Sequence, residues 1–266
     1  MTTIPDGKGT GCLPRETNFG CGAFAPYGSD GTPPLFSKQQ LRAMIPTHGN
    51  LLLEYHYRTI DQKSQSSCCG CAGVGALQLV DHIEDGGEPY LSQAVPYSFR
   101  SVNAEGVLID RKRDDGMNIE ECLQVLQLVG TCEINAVDPY DWNGRDGWPS
   151  DWKDSAARYR VAEAWDCEDT EAVMSALVFG YPVVFGTNNH AVIAIGYDED
   201  GLIILNSWGA DWGDNGIGRW PSHQIPHYGA WALRCTTADD AGPNEFTVSG
   251  GNESIRRRRR RRFGRR

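Results

Sequence analysis

With 266 residues, 40 % of them hydrophobic, the chain can bury one substantial core, as one domain or as two tightly packed lobes. Its net charge of −10 is unevenly spread: nine of the last eleven residues are arginine, leaving 16 of the 25 basic residues beside all 35 acidic ones in the remainder. No run of eighteen apolar residues occurs, which excludes a membrane-spanning helix.

Residues 1–54 read as an N-terminal arm rich in Gly, Pro and polar residues, with one short helix expected over 37–44. Met1 to Gly7 lacks the charged and apolar regions of a secretory leader, so an intracellular or particle-packaged location is expected over secretion. The nine cysteines are then expected to be mostly free thiols. Residues 55–140 read as a helical lobe. A cysteine-rich turn, Gln65-Ser66-Ser67-Cys68-Cys69-Gly70-Cys71, opens a helix from Ala72. Val74, Leu77, Val80 and Ile83 recur there at three-residue steps, and Asp85-Gly86-Gly87 stops it. Asn118 caps a second helix, with Glu121 three residues on in a capping-box arrangement and Gly130 at its end.

Residues 141–235 read as a β-rich lobe. A loop over 141–157, bearing Trp142, Trp148 and Trp152, crosses into it. A strand near 159–161 and a helix over 171–179 lead to apolar, β-branched runs at 183–185, 191–195, 202–205, 217–220 and 231–234. Residues 236–266 are a polar linker and the arginine tail. The architecture expected is α+β, a helical lobe packed on an antiparallel sheet with a cleft between them. The arm is expected to pack on the surface and not to cross that cleft.

The chemistry-bearing residues sit on the two walls. A thiol attacks as the thiolate, and both a helix N-terminus and an adjacent imidazolium favour that anion. Cys71, at the expected start of the helix, has the first. His190 opens the run Ala191-Val192-Ile193-Ala194-Ile195, and Asp198-Glu199-Asp200-Gly201 turns the chain back into a strand that ends at Asn206. In such a hairpin His190 and Asn206 face one another, and the amide can fix the imidazole's tautomer. Taken alone, His190 reads as a buried histidine satisfied by backbone; Cys71, Asn206 and Trp208 in sequence with it outweigh that. Cys68 to Cys71 also forms C-x-x-C, but neither a thioredoxin-like unit nor paired zinc ligands surround it.

Gln65, Cys71, His190 and Asn206, with Asn206-Ser207-Trp208-Gly209 and Trp212-Gly213-Asp214-Asn215-Gly216, resemble the papain-like cysteine protease family over residues 55–235. The resemblance implies a papain-like fold and hydrolysis of protein or peptide substrates through an acyl-enzyme, with no metal and no cofactor. It implies Cys71 as nucleophile, His190 as acid and base, Asn206 as its orienting group, and Gln65, six residues earlier than Cys71, in the oxyanion hole. Trp208 and Trp212 match indoles that shield the His–Asn bond and build the primed side of the cleft. Asn189 and Leu233 would line the pocket for the second residue before the scissile bond and favour an apolar side chain. Cys122 would pair with Cys68. The chain departs from the family at Ala72, where an aromatic usually follows the nucleophile, and at Cys69-Gly70, where Gly-Ser usually precedes it. An alternative is a papain-fold structural or cargo protein that binds a polyanion such as nucleic acid through residues 256–266, by counterion release. No membrane partner is expected.

Overall fold

The computed structural model describes residues 5–15, 25–48, 57–101, 107–221, 228–235 and 247–249. The central helix, α2 (Cys68–Asp85), follows the short α1 (Lys38–His48). It starts a turn earlier than the apolar periodicity suggested, because Cys68, Cys69 and Gly70 are buried and join the stripe that packs on the sheet. At its end Gly86 adopts the left-handed conformation (φ 69°) and returns its N–H to the His82 carbonyl, the close that glycine allows without steric cost.

The short α3 (Ala94–Tyr97) leads to β1 (Phe99–Ser101) and β2 (Val107–Asp110). Helix α4 (Ile119–Leu128) is capped as expected, the Glu121 N–H donating to Asn118 Oδ1 at 2.7 Å. The tryptophan-rich segment is not a bare loop. It contains α5 (Trp152–Ala156), and Trp148 and Trp152 pack with Val95, Phe99, Val125 and Val129 in a second core on the helical side.

The sheet uses β3 (Val161–Asp166), β4 (Val183–Thr187), β5 (His190–Tyr197), β6 (Gly201–Leu205), β7 (Ile217–Pro221) and β8 (Ala230–Cys235), with α6 (Thr170–Val178) between β3 and β4. Its order is β3-β8-β4-β5-β6-β7, every pair antiparallel. Strands β4, β5 and β6 are buried along their length, which is why their sequences are continuous apolar runs without alternation. Helix α2 lies against β5 with Gly75 at the contact, where a Cβ would come 2.7 Å from Ile193 Cδ1. The main core fills the space between α2 and the sheet. The fold is α+β with an antiparallel sheet, as expected.

Two stretches differ from the sequence reading. Within the expected linker, β9 (Thr247–Ser249) pairs in parallel with β2, a short β-branched pair completing a three-stranded sheet. The arginines at 256–266 lie outside the described residues. Cys122 is not joined to Cys68; its thiol donates to the Cys69 carbonyl at 3.2 Å, and the seven cysteines Cys12, Cys68, Cys69, Cys71, Cys122, Cys132 and Cys167 are all free. Among the described residues no helix is long and apolar enough to cross a membrane.

Candidate active site

The β5–β6 hairpin, with Ile193 paired to Leu205, carries His190 and Asn206 to the same end of the sheet. His190 Nε2 lies 2.6 Å from Asn206 Oδ1, which also accepts the Ser207 N–H at 2.8 Å. An amide oxygen only accepts, so Nε2 carries a proton and Nδ1 is left for the reacting partner. Nδ1 has no other hydrogen bond, although the ring is buried. Trp208 stacks on the imidazole with ring centroids 4.4 Å apart, and Trp212 meets Trp208 edge-on at 5.8 Å. The two indoles cover the His190–Asn206 bond and keep water from competing for it.

The thiol that meets this imidazole is that of Cys68, not Cys71. Cys68 is the first residue of α2, where backbone N–H groups have no partner within the helix and favour an anion. Burial opposes its ionisation, but contacts from Cys69 and His190, the imidazolium charge and the Ala191 N–H outweigh it. The Cys68 thiol is therefore held well below the ordinary thiol range. Cys71 lies one turn deeper. Its sulfur rests 3.8 Å from the Ser67 hydroxyl, beside an interior crevice lined by Ile60, Gly75, Val192 and Leu205. Burial, with the nearby Cys68 and Asp61 charges, pushes that thiol far up despite the Ser67 contact. The helix start expected at Ala72 put Cys71 in the first turn, whereas α2 begins at Cys68.

The glutamine moves with the cysteine. Gln65 donates through Nε2 to the Tyr140 carbonyl at 2.8 Å. Gln62 stands six residues before Cys68. It is fully buried, accepts the Ser207 hydroxyl at 2.6 Å and donates to the Gln65 carbonyl at 2.8 Å. Sequence reasoning missed it because Gln62 and Gln65 each precede a cysteine by six residues. One signal separated the two frames: Ser66-Ser67 ahead of Cys68 restores the serine of the usual Gly-Ser pair, whereas Cys69-Gly70 ahead of Cys71 does not.

Asn189 does border the cleft, in the left-handed conformation (φ 61°) that asparagine tolerates. Leu233 does not. It is fully buried in β8 opposite Ala164, beyond Ala232, whose partner Val183 lies at the end of β4 away from His190. The residues at the His190 end are Gly186, Tyr228 and Ile119: a Cβ at Gly186 would meet Tyr228 Cβ at 2.5 Å and Ile119 Cδ1 at 3.3 Å. The register of β8 on β4 decides this, setting Leu233 beyond the Val183 end of β4.

Known proteins share the fold and part of the sequence. No family model matches. Fruit bromelain from Ananas comosus is 27 % identical over 178 residues, covering 59 % of this chain and 50 % of bromelain, so the chain spans half the length of that relative. Macrodontain-1 from Ananas macrodontes is 28 % identical over 174 residues, covering 59 % of this chain and 81 % of its own. Among solved structures, xylellain, a cysteine protease from Xylella fastidiosa, superposes with a TM-score of 0.60 over 88 % of this chain and 99 % of its own, at 22 % identity. In sequence and in fold the chain is similar to papain-like cysteine proteases.

In this papain-like chain the cleft is occupied by its own N-terminal arm, contrary to the surface packing expected from sequence. Residues 8–15 pass between the walls. Lys8 Nζ pairs with Asp61 at 2.6 Å, the Gly9 N–H donates to the Lys63 carbonyl, and Trp208 Nε1 donates to the Gly9 carbonyl. The N–H groups of Gly11 and Cys12 both donate to the Asn189 carbonyl, at 2.9 and 3.1 Å. Met117 exchanges backbone hydrogen bonds with Gly11 and Leu13, and Arg15 pairs with Glu120 and Asp166. The glycines are needed for this approach: a Cβ at Gly9 would sit 2.0 Å from the Gln65 carbonyl oxygen, and one at Gly11 2.3 Å from that of Ser66. Burial raises the Asp61 carboxyl, but Lys8 and the Lys63 N–H outweigh it and hold it low.

Proposed function

We propose that the chain is a thiol peptidase that hydrolyses peptide bonds through a Cys68–His190–Asn206 acyl-enzyme mechanism. The observation that carries this reading is a thiol at a helix N-terminus set against an imidazole whose other nitrogen is held by a buried amide. The Cys68 thiolate attacks the substrate carbonyl carbon, and the oxyanion that forms is stabilised by the N–H groups at the start of α2. Gln62 Nε2 gives one N–H to the Gln65 carbonyl and keeps a second N–H that can serve that oxyanion. His190 gives its Nδ1 proton to the departing amine as the C–N bond breaks, leaving a thioester on Cys68. It then takes a proton from water, whose oxygen attacks the thioester and frees the acid, and the proton returns to the Cys68–His190 pair. Asn206 keeps Nδ1 pointed at the sulfur throughout. The space at Gly186 is bounded closely by Tyr228, Cys12 and Ile119, which favours a small or apolar substrate side chain on that side once the arm is lifted.

An epoxide thiol reagent tests the assignment. It should label Cys68, and Cys68→Ala should abolish peptide hydrolysis while Cys71→Ala keeps it. Labelling of Cys71 alone, or turnover by Cys68→Ala, would overturn the proposal.

The arginine-rich stretch supports a second, separate reading, a polyanion-binding segment at 256–266. Nine arginines beside an acidic body predict binding to single-stranded nucleic acid that weakens steeply with salt. Binding that survives deletion of residues 256–266, or that ignores salt, would remove that reading.

A further inference from the structure

Beyond the Cys68–His190 pair, the mechanism leaves unused a second pair of thiols that spans the arm and the helix beneath it. Cys12 lies on the arm where it crosses the cleft, and its backbone forms a parallel bridge with Met117. The Met117 carbonyl also accepts the Cys69 thiol at 3.1 Å, so one residue holds both cysteines. Burial, and after it the neighbouring Cys12 and Cys68 thiols, push the Cys69 thiol up. The Cys12 sulfur is further confined against β4, 3.2 Å from where a Cβ of Gly186 would stand. Both residues are buried, at 1 % and 0 % exposure.

We propose that Cys12 and Cys69 form a reversible disulfide that fastens the arm across the cleft, making access to Cys68 dependent on thiol redox state. The oxidant is a small-molecule disulfide such as oxidised glutathione. With the arm lifted, the Cys12 thiolate attacks one sulfur of the reagent, breaking its S–S bond and releasing one thiolate. As the arm docks again, Cys69 gives up its proton and attacks the Cys12 sulfur of the mixed disulfide. A second reagent thiolate leaves and the protein S–S bond closes. Two electrons pass from the protein to the reagent, and the two thiol protons end on the two reduced reagent molecules.

The alternative bridge, Cys68 to Cys69, is disfavoured by geometry. Neighbouring residues across a trans peptide keep their Cα atoms about 3.8 Å apart, below the roughly 4.4–6.8 Å of ordinary disulfides, and both lie in the first turn of α2. Cys12, on a separate segment, has no such constraint. The inhibitory consequence of the latch rests on the proposed active site; its formation does not.

The full-length protein and its Cys68→Ala variant should be equilibrated in defined ratios of oxidised to reduced glutathione, quenched in acid, and mapped by mass spectrometry without reduction. A peptide pair joining Cys12 to Cys69 should appear in both proteins under oxidising ratios, vanish under reducing ones, and be lost in Cys12→Ser. In the wild type its appearance should track loss of labelling at Cys68. If both cysteines stay reduced, carry separate glutathiones, or pair elsewhere, the latch is wrong, whatever the protein hydrolyses. If the pair forms in Cys68→Ala but the reduced wild type hydrolyses no peptide, the latch stands and the peptidase reading falls.

Discussion

At the residue scale, one turn of helix separates a reactive thiol from an inert one. Three residues along α2 amount to about 4.5 Å of rise, enough to take Cys71 out of reach of His190 and into the interior. Cys71→Ala should therefore keep full hydrolysis and cost stability only, on the order of 1 kcal/mol for a lost buried group, read from urea unfolding. Asn206→Ala leaves the imidazole its protons but frees the ring to rotate. Turnover should drop on the order of 10²-fold without vanishing, and complete loss in a folded variant would give Asn206 a chemical role it is not assigned here. Leu233→Glu, at a position the sequence places in the specificity pocket, should instead destabilise the fold by several kcal/mol, as a carboxylate forced into a fully buried strand position does. A shift in substrate preference without loss of stability would restore the pocket role of Leu233.

At the element scale, the arm and α2 act against each other. The helix offers a thiolate at its first turn, and the arm covers it through backbone contacts to Lys63, Met117 and Asn189 and ion pairs at either end. The Lys8–Asp61 pair is partly exposed, so its contribution is modest, about 0.2–1 kcal/mol. Breaking it by Lys8→Ala should loosen the arm only slightly. Gly11→Val should do far more, because its Cβ has no space beside Ser66 and the arm must lift. The expected result is faster alkylation of Cys68 and faster hydrolysis than in the wild type, measured side by side. An unchanged or slower rate would mean that the arm does not limit access. Asp61, held low by Lys8, favours the docked arm at pH values above its ordinary range, and that contribution is lost as the pH falls through its docked value.

At the scale of the whole molecule, the buried thiols and phenols shape stability against pH. Burial raises Cys69, Cys71, Cys122 and Cys167, brings Cys132 to about 11, and brings Tyr140 and Tyr159 to about 12. Groups raised on folding contribute stability that is complete below their unfolded values and declines as the pH rises through the folded ones. Burial raises Tyr27, Tyr97 and Tyr197 as well, and Cys68, held low, works in the opposite sense but is one group against these ten. The melting temperature should thus decline from about pH 8.5, where unfolded thiols ionise, and decline further above about pH 10 with the tyrosines. A calorimetric series that stays flat to pH 11 would contradict this burial pattern.

The sequence by itself determined the kinds of residue and their order: a cysteine near a helix start, then His190, Asn206 and Trp208 on adjoining apolar strands. It also determined the helix cap at Asn118 and the antiparallel hairpin that joins His190 to Asn206. Each of these depends on local periodicity and turn chemistry, which short stretches of chain carry in full. Tertiary structure decided what no local pattern holds. The flanking serine is a weak guide among Cys68, Cys69 and Cys71 until the fold sets the start of α2 at Cys68 and brings His190 to its first turn. Gln62 and Gln65 share the same spacing to a cysteine until the chain brings Ser207 to the first and Tyr140 to the second. The arm's path through the cleft rests on backbone contacts between residues more than a hundred positions apart, Gly11 with Asn189 and Leu13 with Met117. Such contacts are made by main-chain atoms that every residue has, so side-chain identity could not announce them.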